Sequence, residues 1–212
     1  MKSAAIGIRV HSGWGVLVAL SGKNGAEEII DRRKVMITDP KAIGAVQPYH
    51  YVEEMELRAA ERHLAKCATE SRRLALESLR QISAQLRDRG FSLVGSAILL
   101  SSARPLPDLE EILGSHALIH TAEGEFFRQA FRQSFESLAI PVAGIREREL
   151  DDYAQKAFGK AAPEIHKRID GIGRSLGPPW TKDQKMAALA AAITLAENQS
   201  TLDVHSKVRR AP

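Results

Sequence analysis

The stretch "AAIGIRVHSGWGVLVALS", Ala4–Ser21, carries the first decision about this fold. Two apolar runs flank His-Ser-Gly, and a Gly/Ser turn between such runs predicts a hairpin of two antiparallel strands. "GKNG", Gly22–Gly25, is a second turn signal. "AEEIIDRRKVMIT", Ala26–Thr38, mixes charged and β-branched residues as a third strand with one wet face or an edge does.

Downstream the period changes. "DPKAIGAVQPYH", Asp39–His50, has the prolines and glycine of a loop. From Tyr51 to Arg89 apolar residues recur every three to five positions with Glu and Arg between them. That spacing predicts an amphipathic helix, or a helix with one break, stopped at Gly90. "FSLVGSAILLSS", Phe91–Ser102, is apolar nearly throughout, as a strand buried on both faces is. "ARPLPDLEEILGS" brings a turn and a short helix. "HALIHT", His116–Thr121, reads as a short strand or extended entry, with Thr121 as the N-cap of a helix running to about Leu138. "IPVAGIRE", Ile140–Glu147, is a further strand. The rest is helical, with segments at Glu149–Phe158, Pro163–Leu176 and, after the breaker "GPPW", Thr181–Glu197. Thr181 and Gln184 have the spacing of a capping box. The expected organisation is one α/β domain over 1–197, with helical segments at 149–176 before the last helix, and a mobile polar tail over 198–212.

Composition bounds the function. At 212 residues and 44% hydrophobic, the chain suffices for one well-buried domain. A net charge of +4 permits contact with an acidic polymer without demanding it. The single cysteine, Cys67, excludes an internal disulfide framework and a clustered-cysteine zinc site; inside a helical pattern it reads as a small buried residue. No signal-peptide pattern and no apolar run of about 18 residues is found, so a cytoplasmic chain without a membrane partner is expected.

Three strands joined by tight turns, a long helix, a strand, a helix, a strand and helices make an order that resembles the ribonuclease H-like superfamily, over Ala4 to about Glu197. "DQKMAALAAAITL" is similar to the alanine-rich last helix of its resolvase-type and predicted-nuclease branches. The resemblance implies a mixed sheet, an antiparallel hairpin followed by parallel strands, flanked by helices. It also implies a pair of divalent cations held by carboxylates from the first strand, from the first long helix or the strand after it, and from the last helix. Two hard cations need such charged oxygen ligands to hold the attacking and leaving oxygens of a phosphodiester.

This sequence departs from that pattern. The first strand offers Arg9 and His11 and no acid, the central strand ends in Ser101-Ser102-Ala103-Arg104, and Ala187 stands deep in the last helix. Asp183, near that helix's start, is what a capped first turn favours anyway. An arginine cannot lose its proton and repels a cation. No metal site of the usual kind and no cofactor is expected. Arg9, His11 and Arg104 become candidates for binding an anion such as phosphate, converging with His120 at the strand ends.

The densest remaining polar set is "HTAEGEFFR". His120 and Glu123 would make a general base with an orienting carboxylate, or two ligands of a metal, with His116 four residues earlier. The plainer reading makes Thr121 a cap and Glu123 and Glu125 dipole partners; it leaves over His120, Arg104 and Gly124, a glycine that suggests a close neighbour. Two function classes follow. One is a catalytically silent binding module for nucleic acid or a protein partner. The other is a hydrolase or nuclease with a non-standard site on His120, Glu123 and Arg104.

Overall fold

The alternation of Ala4, Ile6 and Ile8 with Ala5, Gly7 and Arg9 gives the first strand two different faces, and each collects its own helices. The computed structural model describes residues 1–22, 26–101 and 105–208, the last nine of these by backbone alone. Of the expected turn at Gly22–Gly25, residues 23–25 therefore lie outside the described residues. β1 (Lys2–His11) and β2 (Trp14–Ser21) form the hairpin, with Gly13 at φ +80° in its turn. β3 (Glu28–Met36) pairs antiparallel with β2 at the edge. β4 (Phe91–Leu100) runs parallel to β1, and β5 (Val142–Arg146) parallel to β4. The five-stranded order is β3-β2-β1-β4-β5, the mixed sheet the sequence predicts.

One face of the sheet packs against α2 (Leu57–Asp88) and α4 (His116–Ser137). Ile6, Ile8 and Ile98 there meet Leu79 and Ile82 of α2 and Phe127, Phe131 and Phe135 of α4. The other face carries α5 (Leu150–Phe158), α6 (Ala162–Leu176) and α7 (Lys182–Val208), with Ala97 and Leu99 against Ala187, Leu189 and Ile193. The alanines let α7 lie very close to β1. A methyl group on Gly7 would overlap the Ala187 carbonyl oxygen and come within 2.9 Å of the Ala191 nitrogen. The small elements α1 (Pro48–Val52) and α3 (Leu109–Leu113) pack beside α2 and α4 at the end where β4 delivers the chain to α3.

The long helix takes the form with one break: α1 ends at Val52, and α2 starts afresh with the Glu56 carboxylate capping the amides of Arg58 and Ala59. Three boundaries differ from expectation. The first turn of α1 is drawn from what reads as a loop, Pro48 taking the first helical position where its missing N–H is no loss. "HALIHT" is helical, because α4 begins at His116 with Ser115 before it. The Thr121 hydroxyl donates to the Ala117 carbonyl, 2.9 Å, and caps nothing. Period two and period four both fit six residues, and the helix wins by burying the apolar Ile119 and Ala122 together. Finally, α7 runs on to Val208, past the expected end at Glu197 and through most of the stretch read as a tail. Thr181 and Gln184 do meet at its start, the Thr181 amide donating to Gln184 Oε1 at 2.6 Å.

Cys67 is buried in α2, with Sγ 3.4 Å from His63 Nε2. Burial pushes its thiol pKa up, against a weaker pull from Lys66. The folded chain is expected to react with a thiol reagent at pH 8 about tenfold or more slowly than the denatured chain. Equal rates would mean a reactive, accessible thiol.

Candidate functional site

Two polar constellations sit on opposite faces of the sheet. The first is where the carboxyl ends of β1 and β5 approach the start of α7. Gly7 and Arg9 share the α7 face, so the Arg9 side chain rises beside the first turn of that helix. Its guanidinium takes Glu147, just past β5, in a two-pronged grip. Nε donates to Oε1 at 2.9 Å and Nη2 to Oε2 at 3.1 Å. Nη1 donates to Asp183 Oδ1 on α7, and His11 Nε2 lies 2.9 Å from Asp183 Oδ2. One guanidinium is thus clasped by carboxylates from two other elements, about a quarter exposed to solvent. Side-chain bonding to Glu147 raises the Arg9 pKa most; burial opposes it, and Asp183 adds to it. A cation whose folded pKa is raised contributes its stability at every pH below the unfolded value, so this contribution is constant across the neutral range.

Beside this clasp a short stack closes the end of the sheet. The His11 ring lies on Trp14, centroids 4.2 Å apart and nearly parallel, and Lys34 Nζ sits 4.0 Å from the centroid of the Trp14 ring. The exposed Arg148 follows Glu147.

The second constellation belongs to α4 and α1, on the far face. His116 and His120, one turn apart, bring their Nε2 atoms to 3.1 Å. The His50 ring of α1 meets both edge-on, with centroids 5.4 and 4.7 Å away. Glu123 is turned away from His120 and toward His50: its Oε1 accepts the His50 backbone N–H at 3.2 Å and lies 2.9 Å from the ring Nδ1. It is 3% exposed, a carboxylate in the core. Burial, reinforced by its charge, pushes the Tyr49 phenol pKa up. The close neighbour that Gly124 suggests is Arg128, whose guanidinium stands 2.8 Å from where a Cβ would be and also reaches Ser101 at 3.1 Å and Glu125 at 3.0 Å.

The expected convergence of Arg9 and His11 with His120 therefore does not form. Arg9 and His11 face α7, whereas His120 and Glu123 stand on a helix packed against the Ile6 and Ile8 face. Arg104 lies outside the described residues. An anion at Arg9 would have to displace two carboxylates, and Glu123 orients His50 where the sequence suggests His120. Three residues escape a reading of the sequence. Glu147 ends a strand, Asp183 looks like a capping acid, and His50 looks like loop. The available signal is His116-x-x-x-His120, which only helical phase makes into a pair.

No protein-family model matches the sequence, and no curated protein matches it. Among solved structures, the chain is similar to Thermus thermophilus RuvC in complex with Holliday junction substrate, at 14% identity, over 94% of this chain and 96% of that one, with a TM-score of 0.50. A second structure of Thermus thermophilus RuvC covers the same shares at 14% identity and a TM-score of 0.47. A Ppx/GppA family protein of Aquifex aeolicus is also matched, at 14% identity, over 76% of this chain and 40% of that one, with a TM-score of 0.36. The first likeness and the strand order give this chain a ribonuclease H-like fold.

Proposed function

We propose that this chain is a nucleic-acid-binding module on a ribonuclease H-like fold that does not cut phosphodiesters with a metal pair. The observation that carries the reading is the Arg9 guanidinium clasped by Glu147 and Asp183. It supplies, as part of the chain, the positive charge for which carboxylates at that end of the fold would otherwise recruit cations. A divalent ion entering there meets a permanent positive charge whose own ligands are the ones it needs. Nucleic acid is favoured over a protein partner by the His11–Trp14–Lys34 stack and Arg148 at the same end of the sheet. Basic groups beside an aromatic suit a phosphate backbone. The RuvC structure solved with a Holliday junction lends this its substrate class.

The test is fluorescence anisotropy with a four-way junction, a duplex and a single strand across a range of salt. Binding is expected to weaken linearly in log K against log salt. Lys34→Gln with Arg148→Gln should reduce the slope by about 1.8, two contacts at about 0.9 each on duplex. No strand cleavage is expected in magnesium. Salt-independent binding, no binding at low salt, or magnesium-dependent cutting lost in Asp183→Asn would each overturn the proposal. The acid–base alternative on His120 and Glu123 gains no support from the geometry, since Glu123 contacts His50 instead.

A further inference from the structure

We propose that His50, His116 and His120 bind a zinc-class divalent transition metal through three imidazole nitrogens, with Glu123 as the outer partner of His50. This rests on separate residues from the nucleic-acid reading. One ligating atom from each of the three histidines lies within 4.8 Å of the other two. A tetrahedral zinc with Zn–N bonds of about 2.0–2.1 Å sets its nitrogens about 3.3 Å apart, and His116 and His120 already hold theirs at 3.1 Å. Spacing of four residues on one helix face is how two histidines reach one ion. The third comes from another element, as a site needs if metal binding is to tie segments together.

A pair of neutral histidines 3.1 Å apart is also satisfied by one N–H donating to the other ring. That account leaves His50 and Glu123 unexplained. The Nδ1 atom of His50 is buried and makes no hydrogen bond among the described residues, while the Glu123 carboxylate lies 2.9 Å from it without the alignment of one. Among the described residues Glu123 is a carboxylate held in the core, a costly placement unless its charge is used. A carboxylate against the outer nitrogen of a histidine fixes the tautomer and turns the other nitrogen toward the ion. With Nδ1 facing Glu123, Nε2 is the atom left to His50 as ligand. Imidazole donors suit zinc, cobalt and nickel, and they do not suit magnesium or calcium.

His116 and His120 are exposed, so the fourth position opens to solvent and takes water or a small ligand. His50 also borders an open cavity of about 490 Å³ walled by the loop from Pro40 to Gln47. The metal would pin α1 and this loop onto α4 while leaving one coordination position free.

The full chain, stripped with a chelator, is titrated with zinc by calorimetry and with cobalt by visible absorption. One submicromolar equivalent of zinc and the intense d–d bands of four-coordinate cobalt are expected. His116→Ala and His120→Ala, both at the surface, should abolish the tight phase, and Glu123→Gln should weaken it about tenfold. His166→Ala, on the other face of the sheet, should change nothing. If His50→Ala binds as tightly as the unaltered chain, the ion sits on the helix pair alone and the three-histidine site is wrong. Six-coordinate cobalt spectra, or zinc no tighter than in His120→Ala, would also overturn it. Loss of DNA binding in the Arg9 or Lys34 region leaves these readouts untouched, so the two proposals fail separately.

Discussion

Gly7→Ala is expected to be among the most destabilising single substitutions in the chain. The added methyl has nowhere to go: it overlaps the Ala187 carbonyl oxygen and presses within 2.9 Å of the Ala191 nitrogen, both backbone atoms of a long helix. A side chain in that place would rotate away, but α7 can only be pushed off the sheet. That shift separates Ala187, Ala190 and Ala191 from β1 and β2 and lifts Asp183 away from Arg9. Overpacking against backbone costs about 3 kcal/mol or more, which for a chain of this length lowers Tm by about 6–12 °C. Gly171→Ala in α6 is the control, since no atom lies within 4 Å of its added methyl; there alanine should raise stability by about 0.5–1 kcal/mol. Thermal melts of the two variants decide it, and an unchanged Tm in Gly7→Ala would mean that α7 does not sit where the alanines place it.

That contact also shows why the fold is legible in the sequence and the site is not. The hairpin, the doubly buried β4 and the alanine-rich last helix are local signals, each read from period and composition. Arg9 is visible as a misplaced charge, but its partners lie 138 and 174 residues away. Nothing local distinguishes Glu147 and Asp183 from acids that merely suit a strand end and a helix start. The second site fails for another reason. Six residues, His116 to Thr121, fit a strand and a helix equally, and the phase chosen decides whether two histidines are neighbours. Helical phase buries Glu123 and lines up His116 with His120; extended phase makes Thr121 a cap and leaves Glu123 at the surface. One boundary, six residues off, keeps the sequence from pairing His116 with His120 and from finding His50, which joins them through space.

Arg9→Asp should convert the clasp into a site that needs a metal. The substitution removes the cation and places a third carboxylate beside Glu147 and Asp183, which the arginine now holds together from two elements. Without a counter-ion the three repel one another. The groups are partly exposed, which discounts the penalty; about 2 kcal/mol is expected, or about 4–8 °C in Tm. Three charged oxygens from three elements are what a hard divalent cation requires. Magnesium at a hundredfold over its Kd should restore about 2.7 kcal/mol, bringing the variant back to the stability of the unaltered chain. The unaltered chain itself should show no magnesium-dependent Tm, because its internal cation fills the place. Magnesium is chosen because imidazoles do not hold it, so the histidine cluster stays silent in this experiment. Arg9→Ala should be destabilised too, but with only two acids it should recover less. If Arg9→Asp melts at the same temperature with and without magnesium, Glu147 and Asp183 do not converge once the arginine is gone. The guanidinium would then be a builder of that geometry as well as its occupant, and the carboxylates would need it to meet at all.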